Sequence, residues 1–168
     1  DIQPEYGITS TPVIDRPSGT LYVVAAIEPS SNVFTTQLHA LDLGTGNDKS
    51  FSPVNIAASA MQSNGTTVSF SSAVNMQRAS LLLSKNSLYL GFGSHCDHFS
   101  GSSSGWLMRY DMSLNQLAAF NTVEDGVTSG DELAAIWGSG YGPAADAAGN
   151  VYTVTGNGAF DASSSGHN

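Results

Sequence analysis

The sequence predicts an all-β protein: a β-propeller of four-stranded antiparallel blades, incomplete at about two and a half blades in this chain. Three observations carry that prediction. First, Thr11-Pro12-Val13-Ile14-Asp15, Gly19-Thr20-Leu21-Tyr22-Val23 and Leu38-His39-Ala40-Leu41-Asp42 recur in order as Ala79-Ser80-Leu81-Leu82-Leu83, Asn86-Ser87-Leu88-Tyr89-Leu90 and Leu107-Met108-Arg109-Tyr110-Asp111. Second, a third copy opens with Gly142-Pro143-Ala144-Ala145-Asp146 and Gly149-Asn150-Val151-Tyr152-Thr153. Self-similarity at a long period marks units that must stack on one another to bury their apolar faces. Third, no stretch longer than about eight residues keeps helical spacing without a Gly or Pro, apart from Glu132-Leu133-Ala134-Ala135-Ile136, which is too short to stand alone.

Taken in order, residues 12–15 form a short extended segment, ended by Arg16-Pro17-Ser18-Gly19, whose Pro and Gly supply a turn. Residues 21–26 are an apolar run around the β-branched pair Val23-Val24, of the kind buried on both faces. Residues 37–42 follow after a polar loop, and Gly44-Thr45-Gly46 turns the chain toward an outer strand near Phe51. The second copy repeats the order at residues 80–83, 88–92, 106–110 and 117–120. Residues 1–54 are thus assigned to a first blade, 55–124 to a second and 125–168 to the start of a third. Val23, Leu81, Leu90 and Val154, in matched apolar strands, are expected in the buried core between blades. Because the third copy stops after two strands, the chain is expected to be a fragment of a larger closed propeller, since an open stack exposes strand edges.

Composition narrows function. Hydrophobic residues make up 40% of the 168 residues, enough for a core, and no apolar run approaches the length of a membrane helix. Five Lys+Arg against 14 Asp+Glu leave a formal charge of −9 with no basic cluster, a field that repels phosphate backbones and anionic lipid heads. Neither nucleic acid nor a membrane is therefore expected as a partner. Scarce lysine with abundant Ser, Thr and Asn suits an extracellular or periplasmic, secreted protein, and Asn64-Gly65-Thr66 is an N-glycosylation sequon. Asp1-Ile2-Gln3-Pro4 has no signal-peptide character. Cys96 is the single cysteine, so no internal disulfide forms.

The repeat at residues 12–46, with Pro-Val-Ile-Asp, Gly-Thr-Leu-Tyr-Val and Ala-Leu-Asp-Leu-Gly-Thr-Gly, resembles that of the pyrroloquinoline-quinone (PQQ) type β-propellers. Trp137-Gly138, followed by Pro143, Asp146, Val151-Tyr152 and Thr155-Gly156-Asn157-Gly158, is similar to a segment of the quinoprotein alcohol dehydrogenases. The resemblance implies that Trp137 lies against a quinone plane. It also implies that Asn157 and Asp97, the only carboxylate in the loop Gly93-Ser94-His95-Cys96-Asp97-His98, coordinate a calcium ion beside the quinone. Ca²⁺ prefers carboxylate and amide oxygens and would polarise the quinone carbonyl as a Lewis acid. Asp97, Trp137 and Asn157 are then expected to converge near a central channel. Two departures matter: the family closes its cofactor pocket with a disulfide between adjacent cysteines, and its catalytic aspartate lies beyond the Thr-Gly-Asn segment. No catalytic residue is assigned.

Other chemistry finds less support. His95, Cys96, Asp97 and His98 offer Zn²⁺ or Cu²⁺ ligands, but neighbours on an extended loop rarely converge on one ion, and a tetrahedral site would need His39 or His167 as well. No Gly-x-Ser-x-Gly opens a helix, and no Walker or Rossmann glycine pattern occurs. Two functions from different classes remain open. One is a secreted propeller module that binds a glycan, a small molecule, its remaining blades or a neighbouring subunit. The alternative is a quinoprotein-like oxidoreductase that oxidises an alcohol or sugar, with quinone and calcium on the axis.

Overall fold

A computed structural model describes residues 7–95, 104–123 and 134–156; within them every regular element is a β-strand and the sheets are antiparallel, with no closed barrel. The first unit is a meander of β1 (Val13–Asp15), β2 (Thr20–Ser30), β3 (Val33–Asp42) and β4 (Val54–Asn55), hydrogen-bonded in that order. A small hairpin follows, β5 (Ser59–Met61) and β6 (Thr67–Ser69). The second unit runs from β7 (Asn75–Gln77) and β8 (Leu82–Ser84), both on the same edge of β9 (Ser87–Ser94), to β10 (Trp106–Asp111) and β11 (Gln116–Asn121). A third begins with the hairpin β12 (Ala144–Ala145) and β13 (Val151–Tyr152).

The repeat is visible in the register. Tyr22 pairs with Val13, Tyr89 with Leu82 and Tyr152 with Ala144. The sequence alignment set Leu81 opposite Val13; the structure puts Leu82 there. The turn explains the slip. Residues 16–19 join β1 to β2, whereas only Lys85 and Asn86 join β8 to β9, at φ 46° and 55°, the pair of positive values that a two-residue primed hairpin turn requires.

The core lies between the first two sheets. Tyr22 and Val24 of β2, with Leu38 and Ala40 of β3, share one face. Leu88, Leu90 and Phe92 of β9, with Trp106, Met108 and Tyr110 of β10, share another. All ten are buried and join in one apolar cluster, each large side chain contributing roughly 1.5–3 kcal/mol of transfer free energy. Phe70, just after β6, closes the cluster edge-on to Phe92 (centroids 4.9 Å apart) and to Trp106 (6.4 Å). The Tyr22 hydroxyl donates to the Met112 carbonyl at 3.0 Å, tying the first sheet to the second.

Leu81 and Leu90 are buried in the core cluster as the sequence predicts; Val23 is buried too, but outside that cluster, because it alternates with Tyr22 and Val24 onto the other face of β2, and Val154 is 63% exposed. Nothing in the described part of the third unit covers it. The outer strand of the first unit is Val54–Asn55 rather than a strand at Phe51, which is exposed in the preceding turn.

In each unit the first strand is split. Its near part (β1, β8, β12) pairs with the start of the second strand. Its far part pairs further along: Ala26 N–H donates to Gly7 C=O (3.0 Å), β7 pairs with the end of β9, and Ala135 and Gly156 exchange two backbone bonds (3.0 and 3.2 Å). The segments crossing between the two parts bond to one another in chain order. Leu81 N–H donates to Thr11 C=O and Ser80 N–H to Tyr141 C=O, both at 3.1 Å, while Thr9 Oγ1 donates to Gln77 C=O at 2.6 Å.

Candidate functional site

Trp137 lies in the crossing segment of the third unit, at the position held by Thr9 and Arg78 in the first two. The segment runs over the face of the second sheet opposite the core, and β9 admits it because two of its residues have no side chain. A Cβ on Gly91 would fall 2.7 Å from Ile136 Cγ2. One on Gly93 would sit 3.3, 3.3 and 3.4 Å from Cδ2, Cε3 and Cζ3 of Trp137. Three consecutive ring carbons at nearly equal distance mean that Gly93 lies over the face of the indole, and a Cβ on Gly156 would lie 3.5 Å from Cδ1. Ile136 N–H donates to the Phe92 carbonyl at 3.1 Å, fixing the crossing point. Trp137 itself is half-buried.

Asp97 and Asn157, the other two residues expected at an axial site, lie outside the described residues, as do Cys96, His98 and His167. His95 is described: its N–H donates to Val74 C=O at 2.9 Å, and burial holds its imidazole below the ordinary histidine range. His39 is engaged elsewhere, with Nδ1 3.0 Å from Asp48 Oδ1, the same oxygen to which Ser52 donates. The carboxylate thus stands between histidine and serine, and the Ser52 hydroxyl also accepts from Ala40 N–H (2.7 Å), so these three residues do not form a nucleophile-base-orienter relay. Among the described residues no three His, Cys, Asp or Glu side chains gather as a metal site.

The sequence assigns no role to Gly91 and sets Gly93 at the start of a loop, whereas both lie within β9. The signal was present as Gly91-Phe92-Gly93 inside an apolar strand, since glycine within a strand often marks close approach of another backbone. Two open concavities flank the third hairpin. One, of about 310 Å³, is lined by Tyr89, Leu107, Arg109, Phe120, Gly149 and Val151 among others. The other, of about 250 Å³, is lined by Ile136, Tyr141, Tyr152 and Val154 together with small residues. The Arg109 guanidinium carbon sits 6.0 Å from the Tyr89 ring centroid, and Arg109 Nε donates to Ser87 Oγ at 3.0 Å.

Most acidic groups seen here serve turns. Asp42 accepts from Lys49 Nζ (2.6 Å) and from the N–H groups of Gly44 and Thr45 (both 3.0 Å). Asp146 accepts from Asn150 Nδ2 (2.8 Å), Asn150 N–H (2.9 Å), Gly149 N–H (2.8 Å) and the Tyr152 hydroxyl (3.0 Å). Asp111 does the same with Asn115 and Ser113. The Lys49 bond and the turn amides hold the Asp42 carboxyl down at about 2, and the Asn150 side chain and backbone hold Asp146 there as well. Such carboxylates favour the fold fully above the unfolded value of about 3.9 and stop doing so as pH falls toward 2. Both lie at the surface, partly exposed, so solvent screens each effect and keeps it small. The thermal midpoint is expected to fall between pH 4 and 2, and Asp146→Asn should flatten part of that fall; an Asp146→Asn profile parallel to the wild type would contradict the assignment.

No protein-family model matches the chain, and neither a curated protein nor a solved structure does.

Proposed function

We propose that the chain is part of a PQQ-like β-propeller, about two and a half blades of it, that works outside the cytoplasm as a binding or scaffold module. The observation that carries the reading is the order of the crossing segments: Thr11 to Leu81, then Ser80 to Tyr141, each bonded to the next. Units whose inner strands touch in sequence, and whose sheets stack face to face, are the elements of a radial repeat. The partners are the remaining blades or a neighbouring subunit, with a glycan or small molecule as ligand. Few lysines and a high Ser, Thr and Asn content support the secreted location, and no helix among the described residues is long and apolar enough to cross a membrane.

A second reading, a quinone- and calcium-dependent oxidoreductase for an alcohol or sugar, is favoured by one observation. Trp137 is half-buried with Gly93 over one face of its indole, and a flat cofactor would stack on the other face. In this reading Asp97 and Asn157 hold the calcium.

Titration with pyrroloquinoline quinone and Ca²⁺ separates the two. The scaffold reading expects an unchanged quinone spectrum and an unchanged thermal midpoint. A saturable spectral shift that needs Ca²⁺ and disappears in Trp137→Ala would replace it with the oxidoreductase.

A further inference from the structure

The β5–β6 hairpin is a separate two-stranded sheet between the first two units, and the chain's one N-glycosylation sequon, Asn64-Gly65-Thr66, forms its turn. The hairpin is anchored on the body of the protein. Val68 is buried, and Gln62 Nε2 donates to the Val123 carbonyl at 2.9 Å. The tip, by contrast, stands clear: residues 63–67 are all exposed, Met61 is 78% exposed, and a Cβ on Gly65 would meet nothing within 4 Å. Gln62 N–H donates to Thr66 C=O and Gly65 N–H to Gln62 C=O, both at 2.9 Å, with Gly65 at φ 81°. Asn64 Oδ1 accepts from Thr66 N–H at 2.8 Å, which commits the amide oxygen to the turn and leaves the nitrogen out of that bond. Charge supplies a second observation. No Asp, Glu, Lys, Arg or His lies between Lys49 and Arg78, so both strands of the hairpin and the chain on either side are uncharged. Strand edges at a surface are ordinarily blunted by charged side chains, and β5 and β6 have none to use.

We propose that Asn64 is an N-glycan acceptor and that the glycan supplies the hydrophilic cover this hairpin lacks. The inference rests on the extracellular location proposed above and adds the modification that goes with it. The donor is an oligosaccharide carried on a lipid diphosphate. Its anomeric carbon bonds to Asn64 Nδ2 as its bond to the diphosphate oxygen breaks; the diphosphate leaves with that electron pair, and one Nδ2 proton passes to a base of the transferase. The transfer spares Oδ1, and with it the bond from Thr66 N–H, so the turn persists beneath the sugar. A bulky, solvated group at the tip then keeps other chains away from the uncharged edges.

The test expresses the whole chain behind a secretory leader in cultured eukaryotic cells. The secreted protein should carry one glycan, seen as a single mobility step that a peptide N-glycosidase removes; Asn64→Gln and Thr66→Ala should abolish the step, and Thr66→Ser should keep part of it. Secreted Asn64→Gln should show the wild-type circular dichroism yet self-associate at a lower concentration by light scattering. A secreted wild-type chain without the step, a step that survives Asn64→Gln, or equal self-association with and without the glycan overturns the proposal. Failure of the extracellular reading shows separately, as native protein found in the cytosol while the leader-directed chain still takes the glycan.

Discussion

Trp106→Ala is expected to remove about 3–5 kcal/mol of stability, the largest effect of any single truncation in this core. The indole is fully buried, sits opposite Phe92 on the neighbouring strand and takes the edge of Phe70. Removing it withdraws transfer free energy and leaves a cavity bounded by β9, β10 and the Phe70 segment, which cannot collapse without breaking the ladder. Trp106→Phe should cost less than half as much. The indole N–H is buried without a hydrogen-bond partner among the described residues, so phenylalanine keeps most of the packing and removes that unpaired donor. Urea unfolding followed by far-UV circular dichroism checks both. An Ala variant with the wild-type midpoint, or a Phe variant as weak as Ala, would refute the packing described here.

Asn75→Ala is expected to cost about 2–4 kcal/mol, from three lost hydrogen bonds and the buried groups left behind. Asn75 Nδ2 donates to the carbonyls of Ser104 (2.9 Å) and Gly93 (3.3 Å), and its Oδ1 accepts from Ser71 N–H (3.1 Å). Asn121 grips the same return strand from the other side, through Ser104 Oγ (2.7 Å) and the Gly105 carbonyl (3.2 Å). Together the two amides fix where the chain re-enters the sheet at β10. Asn75→Asp keeps the shape but cannot donate twice, and it buries a charge at neutral pH. It should therefore be at least as unstable as Ala at pH 7 and recover partly at pH 4. Identical Asp and Ala profiles across that range would show that the amide's donors do not matter.

The strands that could be read from the sequence are those whose side chains state their burial. The run around Tyr22-Val23-Val24 and the alternation of Trp106, Met108 and Tyr110 identify β2 and β10 without reference to anything distant. The Leu81/Leu82 slip had a local cause that the alignment did not weigh, since Lys85-Asn86 makes a tighter turn than Arg16-Pro17-Ser18-Gly19. The β5–β6 hairpin was missed although Asn64-Gly65 is a strong turn signal, because its flanks carry few apolar residues and only Val68 and Gln62 are buried. Val154 was misplaced for a different reason: its burial depends on a neighbour, and a matched position in a repeat does not carry the neighbour with it. The candidate site was the least legible. Its floor is made by glycines, and an absent side chain announces no chemistry until the segment that occupies the space is known.

The splitting of each first strand also shapes how the molecule opens. Among the described residues the bonds that crossing segments make to other units go to the unit before or the unit after, so cooperativity passes from neighbour to neighbour along the chain. Among the described units the second is bonded to both of the others, so its opening is coupled to theirs. A destabilising change in β9, which packs on the first sheet with one face and carries the third unit's crossing segment on the other, therefore reaches both neighbours.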